Sequence, residues 1–562
     1  MILPDIWGQG QLFAYSGMDG AVPYDAQMIG ALLGDHAGVR LHTKAPCELY
    51  WHTEGCNDLR WTAVTSDLLR ADLVAAGKRY DCYFAFYSAA TIVGRCPAGR
   101  LRLVFLSGEA YTATVTRTFG NETYQLTVLR DGDYDYFSLS TEGFSALTLE
   151  LCQQTAQARA DFYAALPDPP VRDAAVAKTF AKCVSVMKSQ VYSPQGCFGQ
   201  RWTTPNRLPH KALWLWDSVF HSFGNFILGE DLAKESLLSV LDTQREDGFI
   251  PHMATPDSRS EITQPPVLAW GVQQYVQRSG DLAFAADCFD RLCAYLHWNE
   301  QNRQSKNGLY FWFVERDSVH CRCGESGMDN CSRFDGVQEM DCIDFSCFML
   351  RDGEAMADLA QRLNRPQDAA QWQAFCDTLR QNIMTRLWDE RDGFFYDRRP
   401  DNEQFNRVRS VASFLPLLAG ACNEEQKQSM LRYLDDPKEF CSPFPVAGIA
   451  MREPTFGTDM WRGPVWINYN YMLVQGLERC GESARAEQLL TATVRELTKW
   501  YLADGTLYEF YDSLGARSPK LLERKGAVIE PYQFTMRYQS VRDYGWTCAL
   551  YAAMVYQHSE LF

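Results

Sequence analysis

The stretch Leu166-Pro167-Asp168-Pro169-Pro170 divides the chain into two kinds of sequence. Each proline fixes its own φ, removes an amide donor and biases its predecessor away from the helical region, so this segment reads as a stiff linker or a helix entry. Beyond it, apolar residues recur at three- and four-residue intervals over 171–190, 213–228, 232–244, 267–278, 282–300, 342–363, 367–387, 411–418, 466–477, 483–502 and 541–556. That is the spacing of helices with one buried face. Helices in succession with no strands between them pair as hairpins, and a closed ring of such hairpins is an (α/α)6 toroid. Before the prolines the pattern is different. Segments 47–52, 101–106, 111–119, 124–129 and 146–151 are short, alternate polar with apolar or β-branched residues, and are separated by Gly, Asp and Asn turn signals, as in an antiparallel β-sandwich. The expected fold is mainly α: an N-terminal β-sandwich domain over 1–163, a linker over 164–173 and an (α/α)6-barrel domain over 174–562.

A chain of 562 residues is too long for one ordinary core, which agrees with two domains. Its 54 basic and 70 acidic side chains leave a formal charge of -16, which disfavours nucleic acid or an anionic membrane as partner and suits a neutral ligand. No apolar run approaches the roughly 18 residues of a membrane span. The start, Met1-Ile2-Leu3-Pro4-Asp5, lacks a basic segment followed by an apolar one. The expected location is the cytoplasm. The 19 cysteines are scattered rather than dense, so buried, reduced thiols are expected in place of a disulfide framework.

The acidic and aromatic motifs fall at helix starts or in connections, where a rigid scaffold usually carries its chemistry. Cleaving an acetal without a cofactor needs an acid for the departing oxygen and a second carboxylate that acts directly or through water. Glu325-Ser326-Gly327-Met328-Asp329-Asn330 and Leu507-Tyr508-Glu509-Phe510-Tyr511-Asp512 supply carboxyl groups among aromatic residues. Asp329 and Glu509 are the candidates, with Glu325, Asp335 and Asp512 as competitors that spacing does not rank. Asp329 is expected to be partly desolvated by its neighbours. Trp214-Leu215-Trp216-Asp217-Ser218-Val219-Phe220-His221 sets Asp217 and His221 one helical turn apart, with indole rings beside them, an arrangement that suits sugar hydroxyls. Thr263-Gln264-Pro265-Pro266 presents an amide before a rigid double proline, and Trp461-Arg462-Gly463-Pro464-Val465-Trp466 presents indoles and a guanidinium. For each, a helix cap or buried structural pairing is the competing reading. Cys321, Cys323, Cys331, Cys342 and Cys347 crowd one region with His320, but the spacing matches no paired zinc pattern, and no metal or cofactor is expected. Phosphate-loop, nucleophile-elbow and H-E-x-x-H motifs are absent from the sequence.

These motifs, in order, resemble glycoside hydrolase family 63 and, more distantly, the family 37 trehalases. The blocks are Trp216-Asp217-Ser218, Asp247-Gly248-Phe249-Ile250-Pro251-His252, Gln264-Pro265-Pro266, Glu325 to Asn330, Trp461 to Trp466 and Tyr508-Glu509. The resemblance implies a barrel behind a β-domain and inverting, metal-free hydrolysis of an α-linked sugar. It further implies that Asp329 is the general acid and Glu509 the general base, with Trp216, Asp217, Gln264, Trp461 and Arg462 near the sugar. Trp214, His221 and Trp466 join them as candidates on their own motifs. Met328 stands where trehalases usually carry an aromatic residue, which places trehalose behind other α-glucosides. The expected substrate is a small carbohydrate opened from a chain end. A phosphorylase on the same barrel, a non-catalytic carbohydrate-binding protein and a zinc-dependent toroid acting on isoprenoids are the rival readings.

Overall fold

In the computed structural model, residues 1–26, 28–314, 321–337, 339–528 and 538–562 are described. The N-terminal region is β-rich. One antiparallel sheet has the strand order Leu12–Ala14, Ile29–Leu32, Ala37–Leu41, Cys47–Trp51, Leu101–Phe105, Ala110–Tyr111. The other runs Val115–Phe119, Glu122–Asp131, Tyr134–Ser140, Thr91–Pro97, Lys78–Ser88, Leu68–Ala75, Cys56–Val64. Alternation along the strands sends Leu49, Trp51, Leu101 and Leu103 of the first sheet and Leu73, Phe84, Ile92 and Phe137 of the second into one apolar cluster. Trp51 stacks on Phe84 across it at 4.4 Å.

Helix α1 (Leu149–Ala164) covers the back of the second sheet, where Cys152 and Ala156 pack with Tyr83, Ala85 and Val93. The strand expected over 146–151 is therefore a helix start. Leu147, Leu149 and Leu151 alternate like a strand, but the Thr148 side chain accepts the Leu151 amide and closes the first helical turn instead.

Twelve further α-helices follow among the described residues. They are α2 (Ala174–Ser189), α3 (Leu215–Asn225), α4 (Glu230–Leu241), α5 (Leu268–Ser279), α6 (Leu282–Arg303), α7 (Ile343–Arg362), α8 (Pro366–Arg386), α9 (Leu415–Ala419), α10 (Glu424–Asp435), α11 (Ile467–Arg479), α12 (Ser483–Asp504) and α13 (Gly545–Gln557). The odd-numbered members make a closed circuit: α3 packs on α5, α5 on α7, α7 on α9, α9 on α11, α11 on α13, and α13 returns to α3. Every residue of α3 is buried, as is α13 from Gly545 to Val555, the signature of helices enclosed on all sides. The partners α2, α4, α6, α8 and α12 lie against this circuit; α4, α6, α8 and α12 carry one polar face, whereas α2 is buried throughout from Thr179 to Ser189. α10 lies outside the helical segments expected from the spacing. It has few apolar residues, and its start is set by a reciprocal cap between Asn423 and Gln426. No helix among the described residues is long and apolar enough to cross a membrane.

Candidate active site

The residues singled out in the sequence meet at the N-terminal ends of α3, α5, α11 and α13. Trp214, Trp466 and Tyr544 immediately precede three of these helices, and Gln264 stands shortly before the fourth. They line one cavity of about 440 Å³, open to solvent, into which Asp217, Asp329 and Glu509 also face. Each carboxylate arrives on a different segment: Asp217 in the first turn of α3, Asp329 in the connection into α7, and Glu509 in the connection into α13.

Aromatic rings shape the cavity. Trp216 meets Trp546 edge to face at 5.3 Å, and Trp546 meets Trp466 at 5.6 Å. Trp461 stacks on the far side of Trp466 at 3.8 Å with only 3° between planes, which fixes the angle at which Trp466 faces the cavity. The indole N–H groups of Trp214 and Trp546 are buried without an acceptor among the described residues. Gly327 brings the Asp329 segment close to this surface. Its φ is +69°, and a Cβ there would stand 2.2 Å from Cζ2 of Trp216, so no other residue fits without movement.

The two candidate catalytic groups are held differently. The Glu509 segment is extended, bridged through Tyr511 to Val465 and through Tyr508 to Arg542. The Arg524 guanidinium grips the Glu509 carboxylate with two bonds, Nε to Oε2 at 2.6 Å and an NH2 to Oε1 at 3.1 Å. Burial opposes the charge on Arg524, and Glu509 more than offsets this, holding its pKa above the ordinary value. The backbone carbonyl of Asp329 accepts from the amides of Arg322 (2.7 Å) and Cys323 (3.2 Å), and its Oδ2 forms an ion pair with Lys525 Nζ. Asp329 thus keeps partial contact with solvent and a cationic neighbour. Asp217, like Glu509, is buried. Burial above all, with the charges of Glu509 and Asp329 nearby, pushes its carboxyl well above the usual carboxylate range, and the Tyr544 hydroxyl lies 3.5 Å from its Oδ1. A protonated Asp217 can donate to a sugar hydroxyl.

Glycoside hydrolases supply the comparison that this geometry invites. The family model described as the mannosylglycerate hydrolase MGH1-like glycoside hydrolase domain matches residues 209–547, more than half of the chain and every residue that lines the cavity among those described. The chain belongs to the MGH1-like glycoside hydrolases. It is a glycoside hydrolase, an enzyme acting on O-glycosyl bonds. Among curated relatives, an uncharacterised protein of Borreliella burgdorferi is 26% identical over 256 residues, covering 45% of this chain and 50% of that protein. The mannosylglycerate hydrolase MGH1 of Selaginella moellendorffii is 25% identical over 394 residues, covering 55% of this chain and 77% of that one. The chain therefore spans half the length of the first relative and about three quarters of the second. Among solved structures, the family 63 mannosylglycerate hydrolase of Thermus thermophilus in complex with glucose superposes with a TM-score of 0.54 at 21% identity, covering 67% of this chain and 99% of that one, a likeness of fold.

Within this MGH1-like site, Asp329, Glu509, Trp214, Trp216, Asp217, Gln264 and Trp466 line the cavity. Three candidates stand behind the wall. His221 shares a bond between its Nδ1 and Thr203 Oγ1 (2.9 Å) and packs under Gly545, where burial lowers its pKa to about 3. Trp461 supports Trp466. Arg462 donates to the Asn330 carbonyl (2.8 Å) and to Asp335 (2.7 Å), buttressing the Asp329 segment from outside. The competing acids are committed elsewhere: Glu325 is buried in a paired grip by Arg303, Asp335 pairs with Arg462, and Asp512 accepts the amides of Leu514, Ala516 and Arg517.

Sequence reasoning missed His210, Met460, Arg524, Lys525, Tyr544 and Trp546 on the same cavity. Tyr544-Gly545-Trp546 repeats, at the head of α13, the aromatic pair that Trp214-Leu215-Trp216 places at the head of α3, and this repetition was the available signal. In the cysteine-rich region His320 lies outside the described residues. Among the described residues the one group with metal-ligand geometry is Cys342, Asp344 and Asp397. The buried Arg333 guanidinium pairs with both of these aspartates and supplies the cation there.

Proposed function

We propose that this protein is an inverting, exo-acting α-glycosidase, an α-glucosidase hydrolysing an α-linked di- or oligosaccharide or glucoside, with Asp329 as general acid and Glu509 as general base. The supporting observation is that these two carboxylates, far apart in sequence, face one aromatic-walled cavity while the other acids of their motifs are bound up in structural pairs. Asp329 Oδ2 gives its proton to the glycosidic oxygen as the bond to the anomeric carbon lengthens. Glu509 takes a proton from a water attacking the opposite face, and inversion requires a gap of about 6.5–9.5 Å between the carboxyl groups to hold that water. The Arg524 fork fixes the plane of the Glu509 carboxylate, and the Val541 amide also reaches its Oε2 at 3.5 Å. Trp466, backed by Trp461, offers a flat face for the sugar ring, and Asp217, Gln264 and the indole N–H groups of Trp214 and Trp546 address its hydroxyls. An α-mannoside is the second reading, favoured by the name of the plant relative.

The scaffold in this reading is an (α/α)6 toroid formed by the circuit of α3, α5, α7, α9, α11 and α13, over residues 174–562, behind a β-sandwich domain over 1–163 with α1 as its back cover. Free thiols at all nineteen cysteines suit the reducing cytoplasm. The test is Asp329→Asn. Turnover of an α-glucoside panel should fall by about 10²–10⁴-fold while sugar binding, followed by calorimetry, persists, and NMR of the wild-type reaction should show the β-anomer released first. Near-wild-type turnover by Asp329→Asn refutes the assignment.

A further inference from the structure

Cys422 and Cys480 are partly buried thiols that the packing of two inner helices sets side by side, away from the cavity. Cys480 caps the C-terminal end of α11, the end opposite Trp466. Cys422 stands just beyond Gly420, where α9 stops in a left-handed turn with φ +59°. Three contacts hold them there. Gly476 lets α11 lie directly on α9, since a Cβ at that position would stand 2.8 Å from the Leu418 amide nitrogen. The Arg479 guanidinium donates to the Leu418 carbonyl at 2.9 Å, and Lys427 Nζ, from α10, donates to the Cys480 carbonyl at 3.3 Å. The two sulfur atoms then rest over consecutive carbonyls, Cys480 Sγ 3.5 Å from that of Leu417 and Cys422 Sγ 4.0 Å from that of Pro416, and hydrogen-bond to each other.

The surroundings make the two thiols unequal. Burial raises the thiols of Cys347, Cys376 and Cys548, whereas the bond from Cys422, and after it the Arg479 and Lys427 cations, lower Cys480 to about 7 against its partial burial. Near neutral pH Cys480 is thus substantially thiolate, the form that attacks an oxidant, while Cys422 keeps its proton. The same two cations repel a metal ion, and Glu354 and Glu482 hold them in place from the other side at 2.7 and 3.6 Å. We propose that Cys480 and Cys422 are an oxidation site for hydroperoxides, at which the two thiols close into a reversible disulfide. The Cys480 sulfur attacks a peroxide oxygen: an S–O bond forms, the O–O bond breaks, and the departing hydroxide gains a proton and leaves as water. The Cys422 sulfur then attacks the Cys480 sulfenic acid: the S–S bond forms, the S–O bond breaks, and the second hydroxide leaves as water with the proton of Cys422. Two electrons pass from the thiols to the peroxide, and a dithiol restores both. The bond staples α9 to α11 and closes a loop that contains α10 and the Trp461–Trp466 motif. It lies about 20 Å from Trp466 along the 13 residues of α11, so it toughens the barrel wall without entering the cavity.

The experiment treats full-length reduced wild-type protein, C422S and C480S with hydrogen peroxide at neutral pH, blocks the remaining thiols and maps the unreduced peptides by mass spectrometry. Wild type should yield the Cys422–Cys480 linked pair, which dithiothreitol removes, and its melting temperature should rise by about 2 °C or more on oxidation. This readout needs no variant. In C422S the attack on peroxide has no second thiol to resolve it, so Cys480 should accumulate a sulfenic acid that dimedone traps. In C480S neither a link nor a dimedone adduct on Cys422 should form in the same time. Oxidised wild type without this link, a Cys347–Cys422 link in its place, or a linked form that melts no higher than the reduced one overturns the proposal. So does a dimedone adduct that forms on Cys422 in C480S as fast as on Cys480 in C422S.

Discussion

Removing the Arg524 fork from Glu509 is the most informative single perturbation of the site. The two side chains are 4% and 3% exposed, and their bonds of 2.6 and 3.1 Å leave little room for water. Arg524→Met keeps most of the volume and leaves a carboxylate buried without its countercharge, a loss of about 3–5 kcal/mol for a pair of this kind. Arg524→Met combined with Glu509→Gln has no charge left to strand, so the double variant should regain much of that loss, with a coupling of about 2 kcal/mol. Kinetics should move separately. In Arg524→Met the base loses its fixed plane, and a misplacement on the order of 1 Å lowers kcat/KM by about 10²-fold. The assay is equilibrium urea unfolding of wild type, both single variants and the double, followed by tryptophan fluorescence, with kcat/KM on the preferred glycoside alongside. A loss below about 1 kcal/mol for Arg524→Met, or effects additive within about 0.5 kcal/mol, would refute the argument that this ion pair is desolvated and rigid.

Other consequences are as direct. Gly327→Ala adds a methyl 2.2 Å from the Trp216 ring in a left-handed backbone, and should cost more than about 1 kcal/mol and lower turnover by shifting Asp329; unchanged melting and kinetics would contradict the close approach. Trp461→Ala removes the ring stacked behind Trp466 and should cost about 3–5 kcal/mol, with a rise in KM as Trp466 loses its backing, read by unfolding and by substrate titration. His221 and His252, held neutral by burial with pKa values lowered to about 3 and about 4, favour the folded protein above their ordinary value near 6.5. As pH falls from there towards 4 the unfolded chain binds protons that the folded one refuses, so each histidine removes about 1.4 kcal/mol per pH unit. His221→Gln should flatten the fall of the melting temperature between pH 6.5 and 4; an unchanged slope would reject the assignment.

Much of the helical architecture was legible because period is a property of the chain itself. The expected segment 483–502 matches α12 (Ser483–Asp504) nearly end to end, since its apolar face repeats for five turns or so. α1 and α10 were illegible for opposite reasons. The Leu147-Thr148-Leu149-Glu150-Leu151 alternation imitates a strand until Thr148 caps the turn, and α10 has too few apolar residues to mark a period, so that only its Asn423–Gln426 cap announced it. The proposed catalytic pair, Asp329 and Glu509, lay in compact motifs. Lys525 and Trp546 reach the cavity through long-range packing, which leaves no local pattern, and Arg462 faces away from it because Asp335 and Asn330 claim its guanidinium.

No residue of the β-rich region lines the cavity among the described residues, yet the wall leans on it through Asp543. That buried aspartate, next to Tyr544, accepts the amide of Leu12 at 2.7 Å, the ammonium of Lys182 at 3.1 Å and the hydroxyl of Thr506 at 2.9 Å. It is a rivet joining the first strand, α2 and the segment that carries Glu509. Severing the chain at the proline hinge would strip one plate from this rivet. The helical half, though it supplies every cavity-lining residue among those described, is therefore not a portable catalyst, and shortening the protein from its front end loosens its chemistry at the back.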